Sequence, residues 1–267
     1  MIVIGEKLNG AIPSVAKAIG ERDEAFIKLV LHQELEAGVD FIDVCAGTSQ
    51  NEELEVLQWM INIIQNETDT PICVDSPDPN VLKTVLPLLK VEGLINSVSG
   101  EGQKCDIIFP LMRDNGWQVI ALTCDDSGIP TTADKRVDIA VRLLEKAAEY
   151  EISPDRIHID PLVMTLATFT ESMLCFMETV QRVKEKYPTV KITSGLSNIS
   201  FGMPVRKLIN QSFLTLAMYA GMDSAIFDPT NRDLYGTVLA TDVLLGRDKF
   251  CRNYNRAFRS GKIGSVK

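Results

Sequence analysis

The sequence predicts a single (β/α)8 barrel that extends over residues 1–267. Short apolar runs alternate with longer amphipathic segments from one end of the chain to the other, and eight such runs are present. This alternation favours parallel β-α units over a β-sandwich, and the count of eight favours a closed barrel over an open sheet. The length of 267 residues and the apolar content of 45% also suit one barrel with a well-buried core.

The predicted strands share an apolar, β-prone composition and are Ile2–Ile4, Phe41–Val44, Ile72–Asp75, Leu94–Asn96, Gln118–Leu122, Arg156–Ile159, Lys191–Ser194 and Ser224–Phe227. The predicted helices carry apolar residues at i, i+3 and i+4, and are Glu21–Ala37, Glu52–Gln65, Lys135–Tyr150, Glu171–Lys186, Arg206–Ala220 and Leu234–Leu245. The helix after the fourth strand has the weakest pattern, because two glycines and a proline interrupt it. No G-x-G-x-x-G motif follows the first strand, which argues against a dinucleotide-binding sheet. Residues Ser260–Lys267 are expected to form a polar, frayed tail.

Composition excludes several classes of function. The net charge of −9 argues against nucleic-acid binding, which needs a basic surface. The start MIVIGEKLNG lacks the features of a signal peptide, and no apolar run is long enough to span a bilayer. The six cysteines have irregular spacings and only two histidines are present, so neither a disulfide framework nor a zinc site is expected. We therefore expect a cytoplasmic protein with reduced thiols and no membrane partner.

Small polar residues stand at or just after the ends of five predicted strands. They are Asp43, Asp75, Asn96, Asp160 and Asn198. Residues at the carboxyl ends of parallel strands meet at one face of a (β/α)8 barrel, and this face carries the active site. A buried group of Asp and Asn side chains is costly unless a ligand or a hydrogen-bond network satisfies it. The sequence therefore predicts a polar binding pocket at this face.

The residue types indicate the ligand. Asp supplies acceptors while Asn supplies donors and an acceptor, a mixture that suits a planar heterocycle with N–H groups, ring nitrogens and a carbonyl. A phosphate site would instead need glycine-rich loops or basic residues, and a hydrolytic metal would need clustered ligands. A lone strand-end Asp is often a helix N-cap, and for Asp43 this reading is as good as a functional one. Asp75 is freed from capping by Ser76 or Asp78, and Asp160 precedes Pro161 in an extended turn.

Five segments occur in the order found in a known family. They are Gly5-Glu6-Lys7-Leu8-Asn9-Gly10, Val74-Asp75-Ser76, Ile95-Asn96-Ser97, Ile159-Asp160-Pro161 and Gly195-Leu196-Ser197-Asn198-Ile199-Ser200. The chain resembles the pterin-binding methyltransferases, and most closely the methyltetrahydrofolate:corrinoid protein methyltransferases. The folate-binding module of cobalamin-dependent methionine synthase and dihydropteroate synthase are more distant relatives. The resemblance covers essentially the whole chain, and its most specific part is the last segment.

The resemblance implies an activity and a set of site residues. The implied reaction moves a methyl group, in either direction, between N5 of methyltetrahydrofolate and the cobalt of a corrinoid. The implied pterin-binding residues are Asp75, Asn96, Asp160, Gly195, Ser197, Asn198, Glu6, Asn9 and Asp43. Asn198 is expected near N5, and Asn198, Asp75 and Asp160 are the expected catalytic residues. Two positions depart from the family pattern, since Cys45 stands where Asn is frequent and Gln211 where Arg is usual.

The resemblance also implies partners. The sequence contains no Asp-x-His-x-x-Gly motif, so the corrinoid is expected on a separate corrinoid-binding protein, and this chain is expected to bind no metal. A homodimer is implied, with Phe213, Leu214, Leu216 and Met218 as residues that serve either the core or an interface. One alternative is a dihydropteroate synthase-like enzyme. The Arg-x-His that is usual after the last strand of that enzyme is absent here, and Arg206 and Lys207 support this alternative only weakly. The other alternative is a non-catalytic pterin-binding subunit.

Overall fold

Eight parallel strands form a barrel that is surrounded by helices in the computed structural model, which describes residues 1–264. The strands are β1 (Ile2–Asn9), β2 (Phe41–Cys45), β3 (Ile72–Asp75), β4 (Leu94–Gly100), β5 (Gln118–Asp125), β6 (Ile157–Asp160), β7 (Lys191–Ile192) and β8 (Ser224–Phe227). The α-helices within residues 1–264 are α1 (Pro13–Glu21), α2 (Glu24–Ala37), α3 (Gln50–Glu67), α4 (Pro79–Val85), α5 (Lys104–Met112), α6 (Ala133–Glu149), α7 (Ser172–Lys186), α8 (Arg206–Ala220), α9 (Arg232–Leu244) and α10 (Arg252–Arg259). The predicted (β/α)8 barrel is confirmed.

The barrel closes at a seam between β7 and β8. The strand order is β7-β6-β5-β4-β3-β2-β1-β8, and the segment that follows β7 joins β8 through an isolated parallel bridge between Gly195 and Ile226. The Ile226 N–H donates to the Ser194 carbonyl at 3.0 Å. The carboxylate of Asp223 accepts from the Ile192 N–H at 2.8 Å and from Lys184 Nζ at 2.7 Å, so one side chain joins α7, β7 and the start of β8.

The barrel interior has an apolar floor. Inward-facing residues early in the strands form a small cluster that contains Ile4, Phe41, Cys73, Leu94 and Ile120. The larger core lies between the outer face of the strands and the helices. Because strand side chains alternate between faces, the residues two positions after this floor point to the same interior at its carboxyl end. The fold therefore sets the polar strand ends directly above the floor.

The first β-α unit differs from the prediction. β1 extends to Asn9 rather than ending at Ile4, because β2 continues to pair with it beyond a register shift between Gly5 and Leu8. The predicted helix Glu21–Ala37 corresponds to α2, which begins at Glu24, and α1 was not predicted. The chain turns at Arg22, which has a φ of 52°, and the side chain of Asp23 then caps α2 by accepting from the Phe26 N–H at 3.0 Å.

The predicted frayed tail is wrong for the part of it that the structure describes. Ile263 is buried and packs with Leu239 and Ala257 in a small satellite core. Arg232 Nη2 donates to the Gly264 carbonyl at 2.9 Å, which fixes this segment on α9. The remainder of the predicted tail, residues 265–267, lies outside the described residues.

Three of the four α8 residues named for a homodimer serve the core. Phe213, Leu214 and Met218 are buried, whereas Leu216 is exposed. The homodimer therefore stays a prediction that rests on the resemblance. None of the helices within residues 1–264 is both long and apolar enough to cross a membrane.

The seam supplies a stability prediction. Asp223→Ala removes two short hydrogen bonds to Asp223, one of them charge-assisted, and leaves the Ile192 N–H without an acceptor. We expect the free energy of unfolding to fall by about 2 kcal/mol in urea denaturation. The matched control is Asp233→Ala, which removes an exposed ion pair with Lys207 and should cost about 1 kcal/mol or less. Equal losses in the two variants would show that Asp223 does not hold the seam.

Candidate active site

Four of the predicted site residues meet at the carboxyl end of the barrel. Asp43, Asp75, Asn96 and Asp160 lie in β2, β3, β4 and β6, two residues after the floor positions or at the strand end. Asn96 Nδ2 donates to Asp43 Oδ1 at 3.3 Å, so β2 and β4 are joined across β3. Asp43 is only 2% exposed and Asp160 only 7%, which removes both carboxyls from bulk water. These four side chains thus lie at one end of the barrel, whereas Asn198, the fifth residue of the predicted set, lies on the turn after β7.

Asp43 of β2 and Asp75 of β3 are neighbouring carboxyls, and both have raised pKa values. Burial raises the pKa of Asp75 to about 6, against a lowering effect of the adjacent Cys45 thiol. Burial and the charge of Asp75 hold the pKa of Asp43 well above its usual range, while contacts with Cys73 and Asn96 lower it. Two close carboxyls in a dry site do not ionise together easily. Ionisation of Asp75 therefore disfavours ionisation of Asp43.

Cys45 stands beside Asp75 because the two residues are register partners in the β2–β3 ladder. A thiol is a weaker donor than the Asn amide frequent in the family at this position. The departure noted in the sequence thus lies at the edge of the site and bears on the acidity of Asp75.

Asp160 stands on the opposite side of the barrel from this pair. Its Oδ1 accepts from the Leu162 N–H at 2.8 Å. Burial raises the pKa of Asp160 to about 6, while the backbone N–H groups of Leu162 and Gly195 and the charge of Arg136 lower it. Asp160 is therefore a carboxyl that changes protonation state near neutral pH.

The segment after β7 carries Gly195, Ser197 and Asn198. Asn198 is exposed on a short 3-10 helix, Leu196–Ser200. A Cβ on Gly195 would lie 3.3 Å from Asn198 Nδ2, so the glycine leaves room for this amide. Arg206 holds the turn from outside, donating from Nη2 to the Ser197 carbonyl at 2.8 Å and from Nε to Ser200 Oγ at 3.0 Å.

A second set of acidic residues, Glu6, Glu34 and Asp228, surrounds the bulge of β1. Glu34, on α2, is fully buried and accepts from the Lys7 N–H at 2.9 Å with Oε1. Lys7 Nζ pairs with Asp228 at 3.4 Å. Burial, together with the charge of Asp228, raises the pKa of Glu6 to about 7, and burial raises the pKa of Glu34 to about 7. The contact of Glu34 with the Lys7 N–H and the ion pair of Lys7 with Asp228 hold the bulge of β1 in place beside the site.

Asn9 has a local role in the structure. Its Oδ1 accepts from the Ala11 N–H at 2.8 Å and thereby closes the turn that follows β1. Gly10 packs so closely against the Ala46 carbonyl that a Cβ would lie 1.9 Å from its oxygen. Asn9 therefore shapes the rim, and its hydrogen bond does not join the Asp43–Asn96 pair.

Sequence reasoning missed three charged residues near the site. Glu34 and Arg136 are fully buried, and each lies at i, i+3 spacing from apolar core residues of its helix. A charge inside an apolar helical stripe was the available signal. Asp228 follows β8 and precedes Pro229, the same pattern as Asp160 and Pro161.

Within residues 1–264, no three His, Cys, Asp or Glu side chains are arranged to hold a metal ion.

The buried carboxyl of Glu34 supplies a pH-dependent prediction. Its pKa is raised from 4.5 to about 7, so folding is favoured by this group at low pH and loses that contribution as pH rises through 7. Glu34→Gln keeps an acceptor for Lys7 and cannot ionise. We expect the variant to gain about 1–3 kcal/mol relative to the wild type between pH 4.5 and pH 8.5.

Urea unfolding at both pH values measures this change. The control is Glu36→Gln on the exposed side of the same helix, which should show no such trend. A stability difference between Glu34→Gln and the wild type that is the same at both pH values would contradict the prediction.

Comparison with known proteins agrees with this geometry. The pterin-binding enzyme family matches residues 16–228. A methylcorrinoid:tetrahydrofolate methyltransferase of Eubacterium limosum is 55% identical over 268 residues, which cover 100% of this chain and 99% of the relative. Methionine synthase of Mycobacterium tuberculosis is 30% identical over 85% of this chain and 20% of its own length.

The fold is also found in solved structures of lower identity. Dihydropteroate synthase of Yersinia pestis, solved with a pterin–sulfa conjugate, superposes with a TM-score of 0.68 at 15% identity and covers 92% of this chain and 94% of that chain. The Xanthomonas albilineans enzyme, solved with 7,8-dihydropteroate, gives 0.65 at 20% identity and covers 93% of each chain. These two likenesses concern the fold alone. The family match and the full-length identity show that the chain belongs to the pterin-binding enzyme family.

Proposed function

We propose that this protein transfers a methyl group between N5 of methyltetrahydrofolate and the cobalt of a corrinoid held by a separate protein. The observation that carries the proposal is the set of buried Asp43 and Asp160 and half-buried Asp75 and Asn96 at the carboxyl ends of strands above an apolar floor. The full-length relative from Eubacterium limosum is named for transfer from a methylcorrinoid to tetrahydrofolate. The same groups serve the reaction in both directions.

The pterin ring fits the mixture of donors and acceptors at the strand ends. In the proposal, Asp75, Asn96 and Asp160 hydrogen-bond the ring, and the protonated Asp43 fixes the Asn96 amide through their 3.3 Å contact. Gly195 and Ser197 line the pterin from the β7 side, while Glu6 and Asn9 belong to the β1 rim. The planar ring rests on the floor, which excludes water below it.

The chemical problem lies at N5, since an amine nitrogen is a poor leaving group. As the methyl–nitrogen bond breaks, its electron pair stays on N5 and needs a proton or a strong hydrogen bond. Asn198 supplies the hydrogen bond in the proposal. Asp75 and Asp160, each with a pKa of about 6, can hold and release a proton near neutral pH. The partner's corrinoid supplies the cobalt that exchanges the methyl group.

The corrinoid-binding partner must approach the open carboxyl end of the barrel, because the cobalt has to reach the methyl group. An apolar rim stands there beside Asn198. It consists of Phe201, Val205 and Leu208, which are 68%, 67% and 63% exposed. Exposed apolar clusters of this kind mark protein contact sites. We assign the rim to the corrinoid-binding protein.

A cytoplasmic location belongs to the same proposal. All six cysteines are free thiols, and reduced thiols are the rule in the cytoplasm.

The dihydropteroate synthase alternative draws only on structures of 15–20% identity, whereas the full-length match is to a methyltransferase. The turnover experiment described next tests the other alternative, a non-catalytic pterin-binding subunit: methyl transfer by the wild type would exclude it.

Single-turnover methyl transfer tests the reaction and the role of Asn198 together. Stopped-flow spectroscopy would follow the cobalt(I) absorbance of a corrinoid-binding protein mixed with this chain and saturating methyltetrahydrofolate. Asn198→Ala should lower the transfer rate by about a hundredfold, the usual cost of a lost transition-state hydrogen bond. Methyltetrahydrofolate affinity, measured by calorimetry, should fall much less.

The matched control is Asn253→Ala, since Asn253 is an exposed residue of α10. A rate for Asn198→Ala equal to that of the wild type at saturating methyltetrahydrofolate would remove the leaving-group role. Binding of methyltetrahydrofolate without any cobalt methylation by the wild type would favour the non-catalytic subunit.

The apolar rim supplies a separate prediction. Leu208→Asp places a charge on the surface assigned to the partner, and we expect KM for the corrinoid-binding protein to rise about tenfold. Methyltetrahydrofolate affinity should not change. The control is Leu244→Asp, which alters a 78% exposed leucine at the other end of the helical layer. Unchanged KM values in the Leu208 variant would place the partner elsewhere.

A further inference from the structure

His158 is a polar side chain at the level of the apolar barrel floor. It is the register partner of the floor residue Ile120, and it shares the inner face of β6 with Asp160, two residues later. His158 is 0% exposed. Its Nδ1 lies 2.8 Å from Ser224 Oγ in β8, and its Nε2 lies 3.0 Å from Gln118 Oε1 in β5. The imidazole thus connects three strands and spans β7, which lies between β6 and β8.

The partners of His158 determine which ring nitrogen carries the proton. Lys191 Nζ, which can only donate, lies 2.9 Å from the same Gln118 Oε1. Oε1 therefore acts as an acceptor, and the proton between it and His158 belongs to Nε2. A neutral imidazole has one N–H, so Nδ1 accepts from the Ser224 hydroxyl. The hydrogen bonds fix the neutral Nε2–H tautomer.

The surroundings of the ring disfavour a second proton. Burial and the charges of Lys191 and Lys184 lower the pKa of His158 to about 3. Both lysines are held in place, since Lys184 Nζ donates to Asp223 at 2.7 Å and Lys191 Nζ donates to the Asp155 carbonyl. The imidazole is therefore neutral at physiological pH and keeps an acceptor for the serine.

The contact between His158 and Ser224 lies one layer below the site. Asp160 follows His158 by two residues in β6, and Ile226 follows Ser224 by two residues in β8. Ile226 forms the isolated bridge with Gly195, at the base of the turn that carries Asn198. Because β7 has only two residues, side chains that reach across it help to set the spacing between β6 and β8.

We infer that the neutral imidazole of His158 is a positioning residue for the pterin site, and that its bond to Ser224 keeps Asp160 and the turn Gly195–Asn198 at the spacing at which both contact one pterin. The inference rests on the proposed function, because it concerns two sets of ligand contacts. His158 lies in the layer below the site and does not touch the reacting atoms.

Methyltetrahydrofolate affinity of the folded chain tests the inference. Ser224→Ala removes the hydroxyl that donates to Nδ1. We expect affinity, measured by calorimetry, to fall about tenfold, since a small misplacement of contact groups is costly. The matched control is Thr179→Val, which removes another buried hydroxyl, one that donates to the Cys175 carbonyl at 2.7 Å within α7. This control should lose stability and keep the wild-type affinity.

Two outcomes of the binding experiment would overturn the inference. A Ser224→Ala chain that is folded by circular dichroism and binds with wild-type affinity would show that the contact serves stability alone. In a His158→Phe background the contact is already lost, so Ser224→Ala should cause no further loss of affinity. A full second loss in that background would show that Ser224 acts independently of His158.

A measurement on the unmutated ring covers the case in which Ser224→Ala does not fold. The chain has two histidines, His32 and His158, so His32→Gln assigns their ¹⁵N resonances. His158 should remain the neutral Nε2–H tautomer from about pH 5 to pH 8. An Nδ1–H tautomer, or a titration within this range, would overturn the inference alone. This readout needs no ligand, so it is distinct from a failure of the wild type to bind methyltetrahydrofolate, which would overturn the proposed function.

Discussion

The constraint on which the site depends is the alternation of side chains inside a closed barrel. Phe41 and Asp43 share the interior face of β2, and Cys73 and Asp75 share that of β3. The first residue of each pair builds the floor, and the second is held above it, buried in the case of Asp43 and half-buried in the case of Asp75. The polar residues cannot retreat to solvent, because the strands that carry them are fixed on both sides. Desolvation of the carboxyls follows from the fold itself.

The carboxyls differ in how their desolvation is compensated. Asp43 has Asp75 beside it and Asn96 as its donor, which favours a shared proton. Asp160 has backbone N–H groups and the charge of Arg136, which favour the ionised form. One binding surface thus offers donors and acceptors at neutral pH although its residue types are nearly uniform. A pterin ring, which has both kinds of group along its edge, needs such a surface.

The barrel and the strand-end residues were predictable because they follow from local pattern and one geometric rule. The strands that end in Asp75 and Asp160 were found within one residue of their observed bounds. The extension of β1 was missed, since Gly5-Glu6-Lys7 looks like the end of an apolar strand, and its pairing depends on β2, more than 30 residues away. A contact between residues such as Asp43 and Asn96, 53 positions apart, is set by strand order and is invisible to local periodicity.

The buried charges show a different limit. Glu34 occupies the position in α2 where the stripe of Ile27, Val30 and Leu31 calls for an apolar residue, and Arg136 does the same in α6. Helical periodicity identifies such a residue as an exception but cannot say what it faces. The answer depends on the neighbouring layer, which only the folded chain supplies.

The weakest part of the strand ladder coincides with the segment proposed to act at N5. β7 has only two residues, so the chain leaves the sheet early and continues as the turn that carries Asn198. Arg206 and the Gly195–Ile226 bridge replace the missing ladder bonds and hold this turn from its outer side and its base. A longer β7 would draw the turn into the wall. The short strand instead leaves Asn198 exposed at the carboxyl end of the barrel, as the role proposed for it at N5 requires.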